Sequence, residues 1–250
     1  MFTIAAFHEN LTQNSVEMNV AAVPDQHLRT EGDGLYIGKY NKLFGAVACV
    51  GPLGLTARLV SPSLRRINPM AITPVCQYVE MGLFSSHMVD INMLVELSEN
   101  EALEALTNST TAAAVRNTVV VFLADQQVQM VAGRIFTVHF QFTITPVIGQ
   151  WTFGQINFID ELPVGNYSVV GANVIAPNGV AFRFVPVGSD NRPGCITAVD
   201  EMLQHVYPFR LGNLGKWFDF NTVQPPGIEL LNTTAPGATT FDGYMDILVP

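Results

Sequence analysis

The feature that most constrains this chain is that it repeats itself. Gly32-Asp-Gly-Leu-Tyr-Ile-Gly38 lies over Gly165-Asn-Tyr-Ser-Val-Val-Gly171, and Gly54-Leu-Thr-Ala-Arg-Leu-Val60 over Gly179-Val-Ala-Phe-Arg-Phe-Val185. Pro69–Thr73 then matches Pro193–Thr197, and His87–Asn92 matches Lys216–Asn221. Leu103–Leu106 matches Ile228–Leu231, and Val119–Ala124 matches Tyr244–Val249. The blocks fall in one order, with offsets drifting between 124 and 133 residues. Insertions between them land in Gly/Pro-rich stretches, where loops tolerate added length. Short β-like matches arise by chance, but collinear ones do not, so the pattern predicts two tandem copies of one unit. With 250 residues, the units are expected at 1–125 and 126–250. Gln126–Ala132 carries no Gly/Ser/Pro tract, so no flexible linker is expected there.

Each copy reads as β-structure. Along Phe136–Thr145, Phe136, Val138, Phe140, Phe142 and Ile144 alternate with Thr137, His139, Gln141, Thr143 and Thr145. Alternation of that length is the mark of a strand with one buried face. Val180, Phe182 and Phe184 alternate with Ala181 and Arg183, and Phe218 and Phe220 with Asp219 and Asn221. Pro-Gly-type punctuation separates these runs, as at Pro177-Asn-Gly179 and Pro225-Pro-Gly227. Helical signal is thin. Ser98–Leu106 opens on a capping-box pattern (Ser98, Glu101), and Val199–Val206 could form two turns, so both read as short helices in loops. The expected fold class is all-β: two tandem jelly-roll β-sandwiches with short loop helices.

Sites of chemistry are not legible. The histidines (His8, His27, His87, His139, His205) have no helical metal-pair spacing, and Cys49, Cys76 and Cys195 form no ligand pattern. Nucleophile-elbow, phosphate-loop and calcium-loop patterns are absent. No catalytic, cofactor-binding or metal-binding residue is therefore assigned, and no enzyme activity or cofactor is expected. The alignment pairs Asp90 with Asp219 and Glu104 with Glu229. Carboxylates at matching positions of two copies suggest contacts within each copy, for instance with Arg58 and Arg183, rather than an asymmetric acid–base pair. The Asn-x-Ser/Thr patterns at Asn10, Asn108, Asn166 and Asn232 read as turn chemistry. The N-terminus has no positive leader region, so no secretory signal is expected.

Charge bears on partners. Only 13% of residues are charged, against roughly 25% in an average soluble protein. A chain so poor in charge is expected to cover part of its surface with copies of itself. The net charge is −9, and Arg65-Arg66 is the densest positive spot, so direct nucleic-acid binding is not expected.

A tandem duplication of such units, in a sparsely charged chain without catalytic motifs, resembles the double jelly-roll major capsid proteins of icosahedral, tailless DNA viruses. The residues carrying the resemblance are Gly165–Gly171 through Arg192-Pro-Gly-Cys-Ile196 and Gly215-Lys-Trp-Phe-Asp-Phe220, with their first-copy partners. The resemblance implies strands standing roughly perpendicular to a shell, and three copies forming a pseudo-hexagonal capsomer. It implies as partners the chain itself (homotrimer and capsid lattice), minor capsid or vertex proteins, and in membrane-containing members an internal membrane. It places the protein in the virion, made in the host cytoplasm. Two other classes remain open: a carbohydrate-binding or glycan-processing protein with paired jelly rolls, and a viral spike or attachment protein.

Overall fold

The computed structural model describes residues 1–51, 53–67, 70–72, 95–126, 132–198 and 215–248. The chain divides into two compact units, Ile4–Gln126, and Gln127–Pro250 with Met1–Thr3. Both are β-sandwiches, and the only described helix is six residues long.

In the first unit the strands are β1 (Phe2–Leu11, from Ile4 onward in this unit), β2 (Met18–Val20), β3 (Arg29–Glu31), β4 (Gly34–Tyr36), β5 (Lys42–Val50) and β6 (Gly54–Val60). Helix α1 (Pro62–Ile67) follows, then β7 (Met70–Ile72), β8 (Val95–Glu96), β9 (Ala102–Ser109) and β10 (Val115–Ala124). One sheet runs β1-β10-β5-β8; the other runs β3-β4-β9-β6-β7, with β2 also on β9. Leu43, Ala46, Ala48, Val119, Val121 and Leu123 of the first sheet meet Ala57, Leu59, Leu103 and Ala105 of the second in one apolar core. β5 and β10 are buried on both faces, which is why Val119–Ala124 reads as an unbroken apolar run.

The second unit contains β11 (Ile135–Ile144), β12 (Trp151–Gln155), β13 (Asn157–Phe158), β14 (Asn166–Ile175) and β15 (Gly179–Val185). It continues with β16 (Gly194–Ile196), β17 (Phe218–Asn221), β18 (Gly227–Asn232) and β19 (Thr239–Leu248). Its sheets run β13-β11-β19-β14-β17 and β12-β18-β15-β16. The core is aromatic: Phe140 packs on Phe184 at 6.1 Å across the sandwich, Phe184 on Phe218 at 5.1 Å, and Trp217 lies against Phe182 and Phe184.

Setting β1, β2, β5–β10 beside β11, β12, β14–β19 gives the same strand order in both pairs of sheets. The agreement reaches single residues. β5 carries a bulge at Phe44 against β10, and β14 carries one at Val170 against β19. β6 bulges at Leu55 and β15 at Val180, each against the penultimate strand of its unit. Bulges bend a strand and locally re-aim its side chains, so their recurrence at the same steps marks one unit built twice.

The pairings also correct the sequence alignment. Gly54–Val60 and Gly179–Val185 are in register, with Arg58 matching Arg183. The true counterpart of Ile228–Leu231 is Ala105–Asn108, two residues on, so Glu229 matches Leu106 and Glu104 matches Gly227. Pro193–Ile196 and Tyr244–Leu248 are each displaced by one residue from the expected match. Gly32–Gly38 and Gly165–Gly171 are not counterparts. The former forms a turn and β4, paired with β9, whereas the latter begins β14, whose Gly171 matches Gly45. The hairpin β3–β4 is an insertion peculiar to the first unit.

Ser98–Leu106 is not helical. Ser98–Glu101 is a turn, with Asn100 at φ 66, and Ala102 opens a strand of alternating burial. Glu101, rather than capping a helix of its own, accepts hydrogen bonds from Ser63, 38 residues away. In β11 the alternation holds from Val138 to Ile144, but Phe136 at the strand's start is 42% exposed. In β15 both faces are buried, Arg183 included. Val199–Val206, His87–Asn92, Cys76 and His205 lie outside the described residues.

Candidate functional site

The two matching arginines show how the copies diverge. On the outward face of its sheet, Arg58 donates from Nε (2.8 Å) and Nη2 to the two carboxylate oxygens of Glu17. Arg183 donates from Nε to Glu229 Oε2 at 2.6 Å, and its guanidinium lies 4.2 Å from the centre of the Trp151 ring. Register through β2 and β12 makes Trp151 the counterpart of Glu17. The same arginine therefore reaches the same place in both units, meeting a carboxylate in one and an indole face in the other. The first pair is partly exposed; the Arg183 side chain is 1% exposed. Asp90 lies outside the described residues.

Asp219 has its counterpart in Glu96. Glu96 faces Lys42 across the strand pair, with Nζ at 3.3 Å; Asp219 faces Ser168, whose hydroxyl donates at 2.5 Å. Lys216 Nζ also donates to Asp219 at 2.7 Å. Partial burial opposes ionisation of Asp219, but the Lys216 and Ser168 hydrogen bonds and the Lys216 charge outweigh it and hold the carboxyl below its ordinary range.

The polar face of β11 and β19 carries a second cluster. His139 Nε2 is 2.8 Å from Asp242 Oδ1, which also accepts from Gln141, and the imidazole stacks on Tyr244 with 4.9 Å between ring centres. Asp242 too is held low: burial opposes this, but Gln141 and His139 prevail. In the first unit His8 Nδ1 lies 2.7 Å from Thr118 Oγ1, Thr118 being the counterpart of Asp242. Burial, and secondarily the Arg116 charge, lower the His8 pKa to about 4. Cys49 and Cys195 are buried, and burial pushes the Cys195 thiol up, away from reactivity. Among the sequons, Asn10 and Asn166 are exposed and Asn232 is buried.

Among the described residues no three His, Cys, Asp or Glu side chains converge as metal ligands, and no helix is long and apolar enough to cross a membrane. The exposed features that stand out are apolar. In the first unit they are Val16, Leu53 and Leu55, at the end where the β1–β2 and β5–β6 turns meet. In the second they include Val164, Val187 and Val223, with Phe153, Ile159 and Ile148 about half exposed; Val187 lines a shallow cleft of about 210 Å³ at the β14–β17 edge. These valines are 82%, 64% and 71% exposed. No protein-family model, no curated protein and no solved structure matches this chain.

Proposed function

We propose that this chain is a double jelly-roll major capsid protein that self-assembles as pseudo-hexagonal trimers into an icosahedral shell. The observation that carries the reading is the repeated strand order with its repeated bulges. In each unit the strands, counted in sequence, run first, eighth, third, sixth in one sheet and second, seventh, fourth, fifth in the other. An eight-stranded jelly roll, in which two Greek keys fold the outer strands back between the inner ones, would give such an order, and this supports the reading. Two like units per chain give a trimer six like corners, which suits a nearly six-fold lattice position. The sparse charge and the exposed apolar turns support an existence in contact with copies of itself.

Sedimentation velocity of the folded protein across a dilution series tests this. A trimer that persists on dilution, and shells or hexagonal capsomers in electron micrographs at high concentration, are the expected results. A well-folded monomer at every concentration would remove the proposal.

A further inference from the structure

Comparing the two units separates the exposed side chains that the fold demands from those it does not. At one end of the first unit three turns meet, and there Val16, Leu53 and Leu55 stand 61%, 65% and 51% exposed. The second unit answers each differently. Leu53, at the tip of the β5–β6 turn, corresponds to Asn178, and Leu55, the bulged residue of β6, to Val180, which is 2% exposed. Val16, preceding Glu17, corresponds to Gln150, preceding Trp151. The first unit thus holds apolar groups in water where its twin has polar or buried ones. It also holds them on unfavourable backbone. Leu53 lies at φ 61, and Asn14 and Ser15, the central pair of the turn Gln13–Val16, lie at φ 44 and 69. A left-handed leucine is strained because its Cβ crowds a carbonyl oxygen.

The three turns are bonded into one surface. Ser15 N–H donates to Ser109 O at 2.8 Å, Asn14 N–H to Thr111 O at 3.1 Å, and Thr110 N–H to Leu53 O at 3.2 Å. The surface is also free of charge: no Asp, Glu, Lys, Arg or His occurs in 11–16, 51–57 or 105–115. At its margin Glu17 and Arg58 bond each other, and Arg116 is a cation, which an acidic partner does not oppose. We propose that this uncharged turn end of the first unit is a contact surface for a second copy of this chain. Copies that each carry a net charge of −9 repel on approach, so they meet most readily where the facing groups carry no charge. Backbone strain held in place by surrounding bonds is a mark of contact sites. A lipid surface fits less well, since interfacial binders favour Trp or Phe at the membrane with Lys and Arg around them. This end has no aromatic residue and only Arg116 at its margin. The inference rests on the assembly reading and adds where copies touch.

The test is sedimentation velocity of the full chain, wild type against Leu53→Asn, Leu55→Ser and the double variant. A fixed sub-denaturing urea concentration brings wild-type dissociation into the measurable range. Each single variant should raise the concentration at half-dissociation about tenfold, and the double variant about a hundredfold. Leu53→Asn should meanwhile leave thermal unfolding of the dissociated chain unchanged or raise its midpoint, since asparagine adopts the left-handed region more readily than leucine. Variants that dissociate at the wild-type concentration overturn this inference and leave the assembly reading standing. A wild-type chain that is monomeric without urea at every concentration removes both. A Leu53→Asn chain that melts earlier when dissociated would make Leu53 a structural residue, and that overturns the contact as well. So does binding to phosphatidylcholine vesicles that the double variant loses while association between copies is unchanged, which would assign the surface to lipid.

Discussion

Arg183 and His8 are both taken largely out of water, and they answer to different physics. The guanidinium cannot shed its charge, so Glu229 on the neighbouring strand and the Trp151 face compensate it where it lies. Removing one member of a buried pair leaves the other's desolvation uncompensated. Glu229→Ala should therefore lower stability by about 3 kcal/mol. Glu17→Ala, at the partly exposed equivalent contact, should cost about 1 kcal/mol or less. Urea unfolding midpoints of the two variants give the comparison directly. His8, by contrast, stays neutral, its pKa lowered to about 4 from an ordinary 6.5. Between those values the unfolded chain holds more protons at this site than the folded one, so lowering pH favours unfolding. The His8 contribution is fully present above pH 6.5 and is lost as pH falls through the window toward 4, by up to about 3 kcal/mol. Unfolding of wild type against His8→Asn from pH 7.5 to 4 should show the wild type losing ground; parallel curves would contradict it.

At the scale of elements, the bulged strands show what a linear reading can and cannot find. Gly54–Val60 and Gly179–Val185 were legible because both strands have the same length and bulge at the same step. The last strands were misaligned by one and β9 by two, since period-2 patterns look alike under small shifts and only hydrogen bonding fixes the register. Gly32–Gly38 misled for a related reason: glycines spaced around apolar residues serve a hairpin as well as a strand entrance. The Ser98/Glu101 pattern misled because a capping box is local, and nothing local announces that Glu101 reaches Ser63. The apolar turn end of the first unit was illegible for the same cause, since it exists only where three turns distant in sequence meet. One strand contact gives a direct test. Gly243 faces Phe140 across β11 and β19, and a Cβ there would run into that ring; its counterpart in the first unit is Val119. Gly243→Ala should thus destabilise by about 1–3 kcal/mol through overpacking, with Phe140→Leu restoring part of the loss, read from thermal unfolding of the single and double variants. A neutral Gly243→Ala would mean the ring has room to move.

For the whole molecule, charge bears on which partners are expected. Twelve Lys and Arg residues are set against twenty-one Asp and Glu, giving the net −9. Several of the cations are already engaged: Arg29 with Glu31, Lys42 with Glu96, Arg58 with Glu17, Arg183 with Glu229 and Lys216 with Asp219. Affinity for nucleic acid comes chiefly from neutralising phosphates with free Lys and Arg and releasing their counterions. Cations tied to the protein's own carboxylates have less to offer a phosphate, and the net negative field repels the polyanion at a distance. If the protein encloses a genome, as the shell reading has it, something other than its own surface must hold that genome. The isolated protein should accordingly show no retention of a duplex in a filter-binding titration near 150 mM salt at about 10 μM protein, and little change on lowering the salt. Tight binding that weakens steeply with added salt would mean a phosphate-contacting surface exists, and the division of labour between shell and genome carrier would have to be abandoned.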